Sequence, residues 1–412
     1  MSEVNFFIDN ALYKNDEIPV NLERFFKKVR NGWRLRSVGI IISEKDNTTV
    51  FLPKNCDIAS ITENDIALLI KLLIYSSKNT HYSNIEDDLY IEMNDKFMII
   101  NELLDDFYKN GIYIGEKKET IKSNQGKINW SKSISSSKPI IIEDEIYLLN
   151  LYRDKNKKNI ELLTTVHGIV MEQISNNYGR FLNGFNYTFK NKPSKPLDVD
   201  STVTKLQLLK KLNNEHRTGH LIDLIISYFD QTRNSEDLIL LTENFNLIWE
   251  MMIKSIFTHE QRYMEHLSRP YWELRDPNGE YKVKKGRNTH IPDALVVTER
   301  ENHSDLDIID AKYYDLTKTF EKNNTKLIEM ESIVKQYFYE FSIDYTSSKL
   351  SSGKNYFAMP WFRVNRDDKI FSKVGKIEID LPRFGRKRID VLFIPTFTLM
   401  DSFLKRQKYY LE

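Results

Sequence analysis

Apolar and polar positions recur with different periods along the chain, and each change of period marks an element. Residues 31 to 53 predict a β-hairpin: NGWRLRSVGIIIS is rich in large apolar and β-branched residues, EKDN is a polar turn, and TTVFLP returns. Thr62-Glu63-Asn64-Asp65 has the form of a capping box with Thr62 as N-cap. It opens a helix whose apolar positions are Ile66, Leu69, Ile70 and Leu73. A second helix is predicted over Phe97 to Lys109, ending at Asn110-Gly111. Residues 1–115 are therefore expected to form an N-terminal mixed α/β domain, of a kind that binds either a protein partner or DNA.

In the next segment, 116–235 with its approach from Ile112, the apolar clusters Ile112 to Ile114, Ile140 to Ile142 and Ile146 to Leu151 predict strands. SISSSK is expected as a polar loop and RDKNKKN as a charged turn. Glu161 to Ser175 has a helical apolar face. Residues 191 to 203, with two prolines among short polar residues, predict a linker, and helices resume over about Lys205 to Phe229. The third segment, 236–412, runs helix, strand, strand, helix, strand. That succession signals an α/β unit, and the whole chain reads as an α+β multidomain protein.

Composition narrows the classes. A chain of 412 residues that is 41% hydrophobic, with only 14 Gly and 11 Pro, has ample material for packed cores and is not a disordered scaffold. Sixty basic against 59 acidic residues exclude a uniformly basic nucleic-acid coat and leave room for local strips. Cys56 is the single cysteine, so an internal disulfide, a thiolate zinc site and an iron–sulfur cluster are excluded, and a reducing, cytoplasmic setting is expected. The N-terminal MSEVNFFIDN carries acids where a signal peptide has basic residues. The most apolar run, Ile66 to Tyr75, contains Lys71 and is far shorter than the about 20 residues of a bilayer span, so no membrane association is expected.

The chemistry concentrates near the end. Ile291-Pro292-Asp293-Ala294-Leu295-Val296-Val297 predicts a strand with an acid at its start. A charged loop leads to a second strand through Leu306-Asp307-Ile308-Ile309-Asp310-Ala311-Lys312. Side chains alternate along a strand, so Asp310 and Lys312 share a face. If the strands pair, Asp293 and Asp310 converge. Two carboxylates and a backbone carbonyl, such as that of Ala311, then form an oxygen site for a hard cation such as Mg²⁺ or Mn²⁺. Lys312 would stand beside it, placed to orient water or to offset charge developing on a phosphate. The bland alternative is a structural ion pair of Lys312 with Asp310 or Asp293. Glu250 lies at the edge of the apolar stripe of the helix Glu243 to Phe257, where it reaches the acids or faces solvent. Gln336 and Lys335 are polar exceptions in the aromatic helix Val334 to Glu340. Two basic strips flank these elements, one with Lys284, Lys285 and Arg287, the other with Arg386 and Lys387. They suit phosphate contacts with double-stranded DNA or are simply solvated turns.

Together, Phe245-Asn246-Leu247-Ile248-Trp249-Glu250, Ile291-Pro292-Asp293, Asp310-Ala311-Lys312-Tyr313-Tyr314 and Lys335-Gln336-Tyr337-Phe338-Tyr339 resemble the PD-(D/E)xK nuclease superfamily. They are most similar to the nuclease subunit of McrBC-type restriction systems, the McrC and LlaJI branch. The match runs over roughly residues 240 to 395, with a thin upstream echo at Gly126-Lys127-Ile128-Asn129-Trp130. The resemblance implies a C-terminal α/β/α nuclease core and a Mg²⁺-dependent DNA endonuclease of a phage-defence system. In that family the enzyme is inert until joined by a McrB-like AAA+ GTPase. By the same resemblance Asp293, Asp310 and Glu250 serve the metal, Lys312 is catalytic, and Gln336 assists. The helix departs from RecB-type nucleases in carrying Glu340 where those show a tyrosine. The chain contains no G-x-x-x-x-G-K-[ST] loop and so cannot be its own P-loop motor. His216 and His220, with Gly219 between them, and His259-Glu260 without a second histidine do not make a zinc site. Two rivals stand beside the leading expectation: a non-catalytic adaptor of a motor, and a stand-alone repair nuclease.

Overall fold

Both strands of the N-terminal hairpin form. Val38–Ile42 pairs antiparallel with Thr48–Leu52, Gly39 opposite Phe51, while Gly32–Leu35 turns away into a three-stranded sheet with Leu12–Tyr13 and Phe26–Val29. That small sheet lays Phe26 and Leu35 over Phe7 and Phe51, one aromatic core. The computed structural model describes residues 4–43, 47–79, 89–136, 139–142, 145–148, 150–159, 162–182, 184–213, 215–233, 237–257, 259–260, 271–275, 278, 280–285, 291–301, 303–314, 328–343, 350–361, 370–383 and 385–411. Its contacts group these into two units: one of 1–93, 181–183 and 238–412, the other of 94–180 and 184–237.

In the first unit the hairpin belongs to a five-stranded sheet ordered Val4–Ile8, Thr48–Leu52, Val38–Ile42, Leu238–Thr242, Ile91–Met93. The fourth strand was not expected from the sequence. LILLT is short and nearly all apolar, so it shows no alternation, and it pairs on both edges. It ties the third sequence segment to the first. Gly39 (φ +146°) fits only as glycine here, because a Cβ would stand 2.1 Å from the Leu240 carbonyl oxygen. The helix Glu63–Asn79 starts as expected: Thr62 accepts from the Asp65 N–H while Asp65 accepts from the Thr62 N–H at 2.9 Å.

The second five-stranded sheet is ordered Ala294–Glu299, Ser304–Ala311, Leu350–Trp361, Gly385–Pro395, Ser372–Leu381. Its three central strands are parallel and the two outer ones antiparallel to their neighbours. The helix Met330–Ser342 covers one face: Ile333 and Tyr337 pack on Phe357, Val391 and Phe393, and Tyr339 packs on Leu295, Leu306 and Ile308. The alternate residues Ile309, Ala358, Leu392 and Ile394 are equally buried on the other face. There the helix Phe245–Ile256 meets the Ser304–Ala311 strand and the helix Thr396–Leu404. Helix, mixed sheet and helix thus make three layers.

The second unit holds the helices Asp95–Asn110, Leu162–Tyr178, Val199–Leu212 and His216–Arg233. Asn94 caps the first of them, and Gly111 ends it at φ 69°. Several expectations are corrected here. Ile112 to Ile114 is not a strand; the strand is Gly115–Lys122. It pairs along its whole length with Tyr152–Asn159, so the supposed charged turn RDKNKKN is a strand in a ribbon that lacks the apolar alternation by which strands are recognised. SISSSK enters the helix Trp130–Ser136, whose Asn129 accepts from the Lys132 N–H. The linker ends at Asp198, which caps a helix that begins at Val199. No helix among the described residues is long and apolar enough to cross a membrane.

His167 sits fully buried in this unit, and its Nδ1 accepts the Tyr113 N–H at 3.1 Å. Burial holds its imidazole down at about 4, against 6.5 when unfolded. The unfolded chain therefore binds the extra proton first, so stability is intact above pH 6.5 and declines as pH falls toward 4. Urea titrations are expected to show wild type losing about 2 kcal/mol more than His167→Gln between pH 7 and pH 5.

Candidate functional site

Strand pairing sets the two acids face to face. Ala294 lies opposite Ile309 in the antiparallel ladder, so Asp293, one step beyond its end, stands across from Asp310. Asp293 Oδ2 accepts the Ala311 N–H at 2.7 Å, which fixes its carboxylate at the end of the neighbouring strand. Asp310 is only 2% exposed. The Lys312 ammonium lies 2.5 Å from Asp310 Oδ2 and over the Phe357 ring, confirming that positions 310 and 312 share a face. The Lys312 approach is a charge contact without hydrogen-bond angles, and Oδ2 accepts no hydrogen bond among the described residues.

Glu250 is brought in from the opposite layer. The Ala358 carbonyl accepts both the Lys312 N–H (2.8 Å) and the indole N–H of Trp249 (3.2 Å). One backbone oxygen thus fixes Lys312 and the residue beside Glu250 together. Burial, then the Asp310 charge, raise the Glu250 carboxyl above its ordinary value, and Lys335 and Lys312 partly counter them. Burial, followed by the charges of Asp310 and Glu250, pushes Asp293 well above the usual carboxylate range. The mutual influence places the three carboxyls in one electrostatic cluster.

The aromatic helix contributes differently from expectation. Gln336 is fully buried and donates to the Ile308 carbonyl at 3.1 Å, so it locks the helix onto the Asp310 strand. Its Nε2 also approaches Asn355, which donates to Glu340, and Glu340 in turn holds Lys387 at 2.6 Å. The exposed polar group on this helix beside the acids is Lys335. Tyr339, one turn on, donates to the Ile291 carbonyl at 3.1 Å, and its phenol is raised by burial and by all three acids. The spacing of Lys335 and Tyr339, which puts them on one helical face, was the available signal.

One of the two basic strips, Arg386 and Lys387, is not at this cluster. Register sets Asp310 level with Phe357 and Val391, so Arg386 and Lys387 lie two strands over and four to five residues toward the other end of the sheet, an offset of roughly 13–17 Å along the strand. Lys387 is taken by Glu340, and Arg386 stands 3.7 Å from Glu378. Lys284 and Lys285 belong to the strand Tyr281–Lys285, paired with Tyr271–Arg275 in a separate two-stranded sheet. Arg287 lies outside the described residues.

A divalent cation suits the donors present. The set is two carboxylates and strand-end carbonyls, all hard oxygens, with one buried carboxylate oxygen lacking a hydrogen bond. Among the described residues no three carboxylate, imidazole or thiolate side chains form a metal-holding group.

Comparison with known proteins bears on what such a site belongs to. A Bacillus subtilis (strain 168) protein, the type II restriction enzyme BsuMI component YdjA, is 27% identical over 360 residues, 82% of this chain and 75% of that protein. A solved half-complex of Thermococcus gammatolerans McrB AAA+ hexamers with bound McrC aligns over 98% of this chain and 99% of that chain. Its identity is 11% and its TM-score 0.39. A cryo-EM structure of the McrBC complex of the same organism covers 63% of this chain and 89% of that one, at 10% identity and a TM-score of 0.26. The model of the LlaJI restriction endonuclease family matches residues 37–393, a span that runs from the first sheet through every element bearing the acid cluster. On that match, the chain belongs to the LlaJI restriction endonuclease family.

Proposed function

We propose that the chain is the DNA-cleaving subunit of a restriction system, with a PD-(D/E)xK core in the sheet that carries Asp293 and Asp310. The observation behind this is the opposition of those two acids with Lys312 held against one of them. Membership of a restriction endonuclease family and likeness to a restriction enzyme component support it.

In this proposal Asp293, Asp310 and the Ala311 carbonyl hold Mg²⁺ or Mn²⁺, and Glu250 stands in reserve. When bound, the cation supplies Lewis acidity at the scissile phosphate and a water of lowered pKa. Lys312 then faces the phosphate oxygens and offsets their charge in the transition state. Glu250, its carboxyl raised by burial and by Asp310, is suited to hold or pass a proton more readily than an exposed glutamate. Gln336 keeps the Asp310 strand in place, and Lys335 presents a cation to the DNA backbone. Since the sequence has no P-loop, nucleotide-driven movement falls to a McrB-like AAA+ GTPase partner.

Plasmid cleavage by the chain with that partner tests this. With Mg²⁺ or Mn²⁺ the DNA should be cut, and a chelator should lower the rate by at least ~10³-fold. The adaptor alternative draws on the way Lys312 neutralises Asp310 and Ala311 satisfies Asp293 within the fold. It predicts no cutting with either cation and any nucleotide.

A further inference from the structure

A cavity of about 610 Å³ opens in the first unit just past the end of the Asp310 strand. Tyr313 and Tyr314, which directly follow Lys312, form part of its wall. Among the described residues, Lys27, Arg34, Arg36 and Lys54 line it against Asp9 and Glu243, a local excess of positive charge on a chain whose net charge is only +1.

Three features show that the charge of Lys27, Arg34 and Arg36 is unspent inside the fold. Lys27 and Arg34 stand directly opposite each other in the antiparallel ladder, a like-charge pairing that destabilises a sheet unless something negative lies between them. Arg34 Nε is buried without a hydrogen-bond partner. Among the described residues Lys27, Arg34 and Arg36 make no ion pair. The cavity also meets the start of the helix Phe245–Ile256, at Asn244 and Asn246, where the Asn244 side chain does not cap the helix. N–H groups at such an end favour an anion. Lys54 is differently placed: its ammonium donates to the Tyr313 carbonyl at 3.0 Å and covers that ring, so it fixes the wall next to Lys312.

We infer that this cavity binds a backbone phosphate of the DNA strand that passes through the acid cluster. Tyr314 lies two residues from Lys312, at most ~7 Å of extended chain, which is roughly two base steps at 3.4 Å per step. A phosphate seated here would set the register of the strand against Asp310. Such contacts position the nucleic acid and carry no base information. The inference rests on the proposal that DNA is the substrate.

The test is binding of a short labelled DNA duplex to the full chain without divalent cations, titrated with salt. Lys27→Gln/Arg36→Gln should weaken binding about 10-fold and make the slope of log K against log salt shallower by about 1 per residue. Arg36→Lys should retain most of the affinity. Lys71→Gln, exposed on the helix Glu63–Asn79, should change nothing. Thermal melts of each variant separate lost contact from lost fold, and Arg36→Gln alone serves if the double variant melts early. Unchanged duplex binding in folded pocket variants overturns the inference and leaves the nuclease proposal intact. So does tight, pocket-dependent binding of deoxyadenosine monophosphate with duplex binding unaffected. A wild-type chain that binds no duplex overturns both.

Discussion

Asp310→Ala is expected to reduce DNA cleavage by at least ~10³-fold while the protein remains folded. Asp310 is the buried member of the facing acids, and among the described residues its Oδ2 accepts no hydrogen bond and meets the Lys312 ammonium. Without it, Asp293 and the Ala311 carbonyl are too few oxygens to grip a divalent cation. The fold has reason to tolerate the change. Asp310 is a cause of the raised Asp293 and Glu250 carboxyls, so its removal relieves that repulsion even as it strands Lys312. Asp310→Asn should be equally inactive, since an amide keeps the shape and loses the charge. Cleavage assays with the partner present, paired with thermal melts, check both halves. Full activity in either variant removes Asp310 from the site.

Lys312→Ala should be inactive as well, and it should also be the more damaging to stability. Its side chain is 12% exposed and that of Asp310 only 3%, so truncation leaves a buried carboxylate without its counter-ion. Breaking such a pair by removing one member costs about 3–5 kcal/mol. Asp310→Ala/Lys312→Ala removes both charges and should regain much of that loss while cutting no DNA. A double-mutant cycle on urea unfolding therefore shows strong coupling between the two positions. Cleavage shows no such recovery. This split separates a working pair from a purely structural one, for which the double variant would behave like wild type in the cleavage assay.

The sequence revealed the acids well because strand chemistry is local. Asp293 begins one apolar run and Asp310 closes another, and a single hairpin of ordinary length forces them together. The Asp310 and Lys312 face followed from alternation alone. What stayed hidden depends on distant partners. Leu238–Thr242 pairs with strands some 150 and 200 residues upstream, and a five-residue apolar run cannot announce its neighbours. The ribbon of Gly115–Lys122 with Tyr152–Asn159 carries charge where strand patterning asks for alternation. Gln336 looked like a polar exception on a helix. Burial against the Ile308 carbonyl made it a brace, and Lys335 took the exposed place beside the acids. Arg386 and Lys387 were grouped with the site by sequence proximity to the last strand, yet parallel register carries them to the far end of the sheet.

The most direct measurement is X-ray diffraction at the manganese absorption edge from crystals of this chain soaked in Mn²⁺. A single anomalous peak in contact with the carboxylates of Asp293 and Asp310, absent in Asp310→Ala crystals, is the predicted result. Manganese bound elsewhere, or no peak at these acids from protein that cleaves DNA in the same buffer, would contradict it.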